Sequence, residues 1–248
     1  MSRIENAFKN KNTFIGFLVA GDPYLEKTVE YILELEKAGA SLIQIGIPFS
    51  DPIAEGVVVQ EANIRALSKN MTTDKVFQIV KEVRKTSDIP ICLMTYLNPV
   101  FHYGYDKFFK KCQEAGVDGI IIPDCPFEES KEVSDICYKY DVDLISIIAP
   151  TSKERILEIT KRAKGFIYLV SSMDTIETVA STVKEIKTIT DLPVVTDFEI
   201  NDQEQIKYFS NFADGMIVGS AIVNIIKEYG EKANKPLYDH VKSLTEVM

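Results

Sequence analysis

Histidine and cysteine are scarce in this 248-residue chain. It has two histidines, His102 and His240, and four cysteines, Cys92, Cys112, Cys125 and Cys137. No two cysteines form a CxxC pair, so no metal site is expected and the thiols are read as free. Positive charge is also short: 28 Lys and Arg face 37 Asp and Glu, a net charge of −9. No basic stripe with interleaved aromatics appears, which argues against nucleic acid or an anionic membrane as a general partner. No apolar run reaches the roughly 18 residues of a spanning helix. The N-terminal stretch MSRIENAFKNKNTF lacks the apolar region of a signal peptide, so the expected placement is cytoplasmic. No GxGxxG follows the first apolar run, which weakens a dinucleotide-binding reading.

What is present is an ordinary globular balance, 46% hydrophobic and 26% charged, over a length that suits one domain spanning 1–248. Eight short apolar runs recur: TFIGFLVAG (13–21), SLIQIGI (41–47), IPICLMTY (89–96), DGIIIPD (118–124), DLISIIAP (143–150), GFIYLVSS (165–172), LPVVTDFEI (192–200) and DGMIVGSAI (214–222). They are rich in Ile and Val with little alternation, as parallel strands buried on both faces are. Helical patterns separate them. Residues 25–39 place Val29, Ile32, Leu33 and Leu35 on one side, and residues 72–85 do so with Val76, Ile79, Val80 and Val83. Further helices are expected in YDKFFKKCQEAG, EESKEVSDICYKY, IETVASTVKEIK and SAIVNIIKEYG. Thr151 with Glu154, and Asn201 with Glu204, have capping-box spacing. Eight strand–helix units predict an α/β fold that closes into a single (β/α)8 TIM barrel; the rival is an open, doubly wound sheet.

In such a barrel the chemistry lies at the C-terminal ends of the strands. The polar residues there are Asp22, Gln44, Ser50, Asp51, Glu55, Tyr96, Asn98, Asp124, Ser171, Asp197, Glu199 and Ser220. GIPFSDPIAEG (46–56) reads as a loop that presents Asp51 or Glu55 to the barrel mouth, or as a rigid turn with solvated acids. VGSAIV (218–223) opens a helix after the eighth strand, a ready anion site or a tight turn. Tyr96 and Asn98 are placed to orient a ligand, and Asp124 to hold its loop. Gln44 stands out, a neutral amide inside an apolar strand. It must find hydrogen-bond partners or cost roughly 1–3 kcal/mol.

FLVAGDP (17–23), IGIPFSDP (45–52), MTYLNPVFHYG (94–104), AGVDGIIIPD (115–124), APTSKER (149–155), GFIYLVS (165–171) and ADGMIVGSAIV (213–223) together resemble, in order and over nearly the whole chain, the α subunit of tryptophan synthase. The resemblance implies a lyase of tryptophan biosynthesis that cleaves indole-3-glycerol phosphate to indole and glyceraldehyde 3-phosphate by a retro-aldol step. It implies no cofactor of the chain's own. It implies a partner, a β subunit carrying pyridoxal phosphate, in an α2β2-type complex. Substrate contacts are implied for Phe17, Tyr96, Asp124 and Tyr168, phosphate contacts around residue 199, Gly219 and Ser220, and partner contacts for Pro48, Asp51 and Asn98.

Four features depart from the family. Its strand-2 glutamate, which transfers a proton, maps to Gln44, and its loop aspartate maps to Glu55, one methylene longer. Its glycine-rich turn after strand 7 is Asp197-Phe198-Glu199 here. A carboxylate about 5 Å from phosphate would repel it by roughly 3 kcal/mol per unit charge at an effective dielectric near 20, more than the ~0.3–2 kcal/mol that a helix N-terminus returns. The mobile lid after strand 6 is shortened: SSMDTIETVAS (171–181) runs almost directly into a helix, and no glycine occurs between Gly165 and Gly215. Three functions follow as expectations: the family cleavage in weakened form, a diverged enzyme acting on a ligand without phosphate, and a catalytically silent subunit that docks on and regulates a β-like partner.

Overall fold

The computed structural model describes residues 2–9, 12–149, 155–171, 175–197 and 203–248. The Glu199 reading, the two capping boxes and part of the shortened loop (172–174) fall outside these residues.

Nine parallel strand segments run in the order β5-β4-β3-β2-β1-β9-β8-β7-β6. They are β1 (Thr13–Val19), β2 (Leu42–Gly46), β3 (Ile91–Met94), β4 (Gly119–Ile121), β5 (Asp143–Leu144), β6 (Ser146–Ile148), β7 (Ile167–Leu169), β8 (Val194–Thr196) and β9 (Gly215–Val218). β5 and β6 are two pieces of one stave, separated only by Ile145. The Ile145 amide still donates to Ile120 O at 2.9 Å, while β6 takes up pairing with β7. The ring therefore closes with eight staves, as the eight apolar runs predict, and each run contains one of them. Nearly every strand position is buried, because helices cover the outside and side chains fill the inside.

The helices are α1 (Arg3–Ala7), α2 (Leu25–Lys37), α3 (Val57–Ser68), α4 (Thr73–Val83), α5 (Leu97–Tyr103), α6 (Tyr105–Ala115), α7 (Ser130–Lys139), α8 (Ile156–Arg162), α9 (Ile176–Lys187), α10 (Gln203–Phe209), α11 (Ser220–Tyr229) and α12 (Asn234–Thr245). The stripe read from sequence in α4 is its buried face, Val76, Ile79, Val80 and Val83; in α2, Ile32 and Leu35 are buried, Val29 and Leu33 only half-buried, and Thr28 and Tyr31 complete the buried face. α3 differs. It buries Val59, Ala62, Asn63 and Ala66 and turns Val57 and Ile64 to solvent, so its pattern carries no clean apolar stripe.

One device recurs at the N-terminal ends of the staves. Asp118 precedes Gly119 of β4, and Asp214 precedes Gly215 of β9. Asp118 Oδ2 accepts the Ile91 amide at 2.8 Å, and Asp214 Oδ2 accepts the Val194 amide at 2.8 Å, each from the start of a neighbouring strand. Each aspartate also pairs with a cation from the end of a helix: Arg84 at 2.8 Å and Lys187 at 2.7 Å. The glycines leave room for close approach. A Cβ at 119 would stand 2.9 Å from Cys92 Sγ, and one at 215 would stand 2.9 Å from Thr13 O.

Candidate active site

At the C-terminal mouth of the barrel lies a cavity of ≈ 280 Å³. Ligand pockets run from about 300 to 1,000 Å³, so it suits one small molecule. Its floor and walls come from β1 (Phe17), β2 (Gln44), β3 (Met94), β7 (Tyr168), β9 (Ile217, Val218) and the residue after β8, Asp197. The β2–α3 connection adds Ala54, Glu55 and Gly56, and the start of α11 adds Ser220, Ala221 and Asn224.

Register places Phe17 of β1 beside Gln44 of β2, and Gln44 beside Cys92 of β3. Two glycines make room for the Phe17 ring: a Cβ at Gly46 or at Gly219 would meet it at 3.1 Å. Gly219 thus serves the aromatic wall as well as the turn into α11. Gln44 is 2% exposed. Its Nε2 donates to Met94 Sδ at 3.0 Å, a weak acceptor, and its Oε1 has no partner. The cost foreseen for an amide in this strand is therefore only partly offset.

Glu55 enters from the β2–α3 loop. Asn63 Nδ2, buried on α3, donates to Glu55 Oε2 at 2.6 Å. Burial raises the carboxyl pKa above the usual carboxylate range, and hydrogen bonds from Asn63 and Tyr96 partly offset that. Tyr96 also fixes the loop, its hydroxyl accepting the Ala54 amide at 3.1 Å. Burial pushes the Tyr96 phenol far up, so it remains protonated as a donor toward Glu55.

Three staves away from β2 around the ring, β8 ends at Asp197. Its carboxylate accepts from Tyr168 Oη at 2.7 Å, and from the Ser171 amide and hydroxyl at 2.8 Å each. Burial raises the Asp197 pKa, and these donors counter the rise. Burial, then the Asp197 charge, pushes the Tyr168 phenol well up. On the same wall α11 begins at Ser220, and no side chain caps its N-terminal amides.

The structure thus gathers Phe17, Gln44, Glu55, Tyr168, Gly219 and Ser220 at one cavity. Tyr96 stands behind Glu55. Asp124 lies outside the lining: its Oδ1 accepts the Leu97 amide at 2.8 Å and anchors the start of α5. Asp51 is exposed and Pro48 half-buried in the β2–α3 connection, and Asn98 is exposed in the first turn of α5. Asn63, Met94 and Asn224 are site residues that spacing did not single out. Asn63 sits in the helix whose apolar pattern is broken, and that break was the available signal. Among the described residues no group of His, Cys, Asp and Glu is arranged to hold a metal ion, and no helix is long and apolar enough to cross a membrane.

A family model described as tryptophan synthase alpha chain matches residues 4–247. The tryptophan synthase alpha chain of Lacticaseibacillus casei is 43% identical over 251 residues, covering 98% of this chain and 94% of the relative. That of Caldanaerobacter subterraneus is 40% identical over the full length of both. The crystal structure of the tryptophan synthase alpha chain from Legionella pneumophila superposes with a TM-score of 0.93 at 36% identity, covering 100% of this chain and 97% of that one. A chain in the tryptophan synthase complex of Pyrococcus furiosus gives 0.90 at 35% identity, over 95% and 98%. Closed barrel, cavity at the strand ends and full-length likeness agree, and the chain belongs to the tryptophan synthase alpha chain family.

Proposed function

We propose that this α-type barrel binds an indole-sized ligand at its mouth and cleaves indole-3-glycerol phosphate only weakly. The observation that carries this reading is Gln44, a buried amide on the cavity wall at the position where the family keeps its proton-transferring glutamate. Retro-aldol cleavage needs a proton delivered to the ring carbon that bears the glycerol chain and a proton removed from the glycerol hydroxyl. An amide neither gives nor takes a proton near neutral pH. General acid–base catalysis is worth roughly 10²–10⁴ in rate, about 3–5 kcal/mol.

Glu55 supports a residual activity. It is a carboxylate on the cavity wall, fixed by Asn63, and it suits the stabilisation of positive charge on a ring nitrogen. Asp197 opposes phosphate: a carboxylate shares the cavity with Ser220 and the uncapped start of α11, and fixed negative charge there repels a dianion. Indole release from indole-3-glycerol phosphate is the direct test, and turnover at ordinary family rates would refute this reading.

A second reading, docking on a β-like partner, is favoured by the surface around the mouth. Ile53 is 81% exposed in the β2–α3 connection that carries Pro48 and Asp51, Val57 is 69% exposed at the start of α3, and Phe101 is 67% exposed in α5, which also carries Asn98. Single exposed apolar residues are ordinary, but several rimmed by polar ones mark an interaction site. One similar structure is described as the tryptophan synthase a2b2 complex of Pyrococcus furiosus, and an assembly of that type suits this surface. Pyridoxal phosphate would belong to the partner, since no lysine is among the described residues that line this barrel's cavity.

A further inference from the structure

The cavity is lined by two carboxylates, Glu55 and Asp197, and no Lys, Arg or His is among its described lining residues. Apart from these acids, Gln44 of the β2 wall, three staves from Asp197, carries a buried acceptor, Oε1, with no partner of its own. Phe17, Met94, Val59 and Ile217 supply apolar and aromatic walls, and Tyr168, Ser220 and Asn224 add neutral polar groups. Such a lining offers acceptors and negative charge to a ligand with an apolar body.

We propose that the cavity selects an aromatic ligand with a protonated amine tail, the ammonium pairing with Asp197 and a ring N–H donating to Gln44 Oε1. This rests on the reading of the cavity as the ligand site of an α-type barrel, and it deepens that reading by naming the ligand class. Asp197 is suited to the task. Tyr168 and Ser171 hold its carboxylate in place, yet Oδ2 takes only one of these bonds and keeps acceptor capacity toward the cavity. An ammonium there meets a full negative charge, whereas an anion meets that charge against only the partial positive charge of the α11 N-terminus. Gln44 rewards a ligand that brings a donor, because its oxygen otherwise stays unpaired in the folded chain.

Titration calorimetry on the full chain at pH 7 tests this with three indoles of comparable size: tryptamine (cation), 3-propylindole (neutral) and indole-3-acetate (anion). Tryptamine is expected to bind at least tenfold more tightly than indole-3-acetate, with the neutral compound between them. Asp197→Asn, which keeps an acceptor for Tyr168, should bring the three to within about threefold while 3-propylindole binds as before. Methylation of the ring nitrogen of tryptamine should weaken binding to wild type about tenfold. Indole-3-acetate binding as tightly as tryptamine, no binding by any of the three, or a charge preference that survives Asp197→Asn would overturn the ammonium site. Equal binding of the N-methylated ring would overturn the Gln44 contact. No turnover is measured, so the outcome is separate from indole release: fast release would refute weakened cleavage and leave the binding order standing.

Discussion

Gln44 and Glu55 divide the site's chemistry unequally. On the proposed reading, Gln44 keeps the size of a glutamate and loses its proton, whereas Glu55 keeps the charge of an aspartate and adds a methylene. Restoring the first carboxyl by Gln44→Glu is expected to raise indole release by about 10²-fold or more, yet short of full recovery, because on the proposed reading Asp197 still faces the phosphate end. The pair Gln44→Glu with Asp197→Asn is expected to exceed that single variant by a further tenfold or more. Steady-state assays of the three proteins check this, and full recovery with Gln44→Glu alone would remove Asp197 from the account. Glu55 also makes a claim about pH. Its folded pKa is raised, so the folded chain holds that proton more tightly than the unfolded chain does. Its contribution is most favourable below the unfolded value and turns unfavourable as pH rises through the folded value. Glu55→Gln should therefore raise the thermal midpoint at pH 8, with a smaller gain at pH 5, as read by calorimetry at the two pH values.

At the scale of elements, the staves were legible because parallel strands buried on both faces need near-continuous apolar runs, and all eight runs carry one. The helices given a stripe by spacing, α2 and α4, were equally plain, and the segment of α9 was also expected to be helical. α3 was not, because it meets the barrel with Ala62, Asn63 and Ala66 and exposes Val57 and Ile64. Close packing there rewards small residues over large apolar ones. α12 buries Leu237, Val241 and Leu244 at i, i+4 and i+7, a helical spacing that lies beyond the eighth strand–helix unit. The family resemblance mapped the cavity residues; composition and periodicity alone left Asn63 and Met94 unseen, since contacts between distant residues leave no local pattern. The repeated Asp-Gly pairs at 118–119 and 214–215 are visible in sequence, but their joint use needed the strand pairing to appear. Asp118 gathers Arg84, Arg3 and the Ile91 amide at the foot of β3 and β4. Removing one partner of such a buried pair costs roughly 3–5 kcal/mol. Arg84→Met is expected to lower the unfolding free energy by about that amount in urea, and a loss below ~1 kcal/mol would show that the pair is dispensable.

At the scale of the whole molecule, a net charge of −9 and a barrel mouth lined with acceptors point away from polyanions. The apolar residues that rim the mouth are the other global feature. If they form a docking face, Phe101→Asp should abolish association with a tryptophan synthase β subunit in sedimentation velocity and leave the chain's own thermal midpoint within about 2 °C. Unchanged association would move the interface elsewhere. The central claim is that this family scaffold has lost its proton-transferring carboxyl and with it most of its cleavage rate. The most direct measurement is the rate of indole release from indole-3-glycerol phosphate, beside a family member with glutamate at the position of Gln44. A rate lower by about 10²–10⁴ is expected; equal rates would contradict the account.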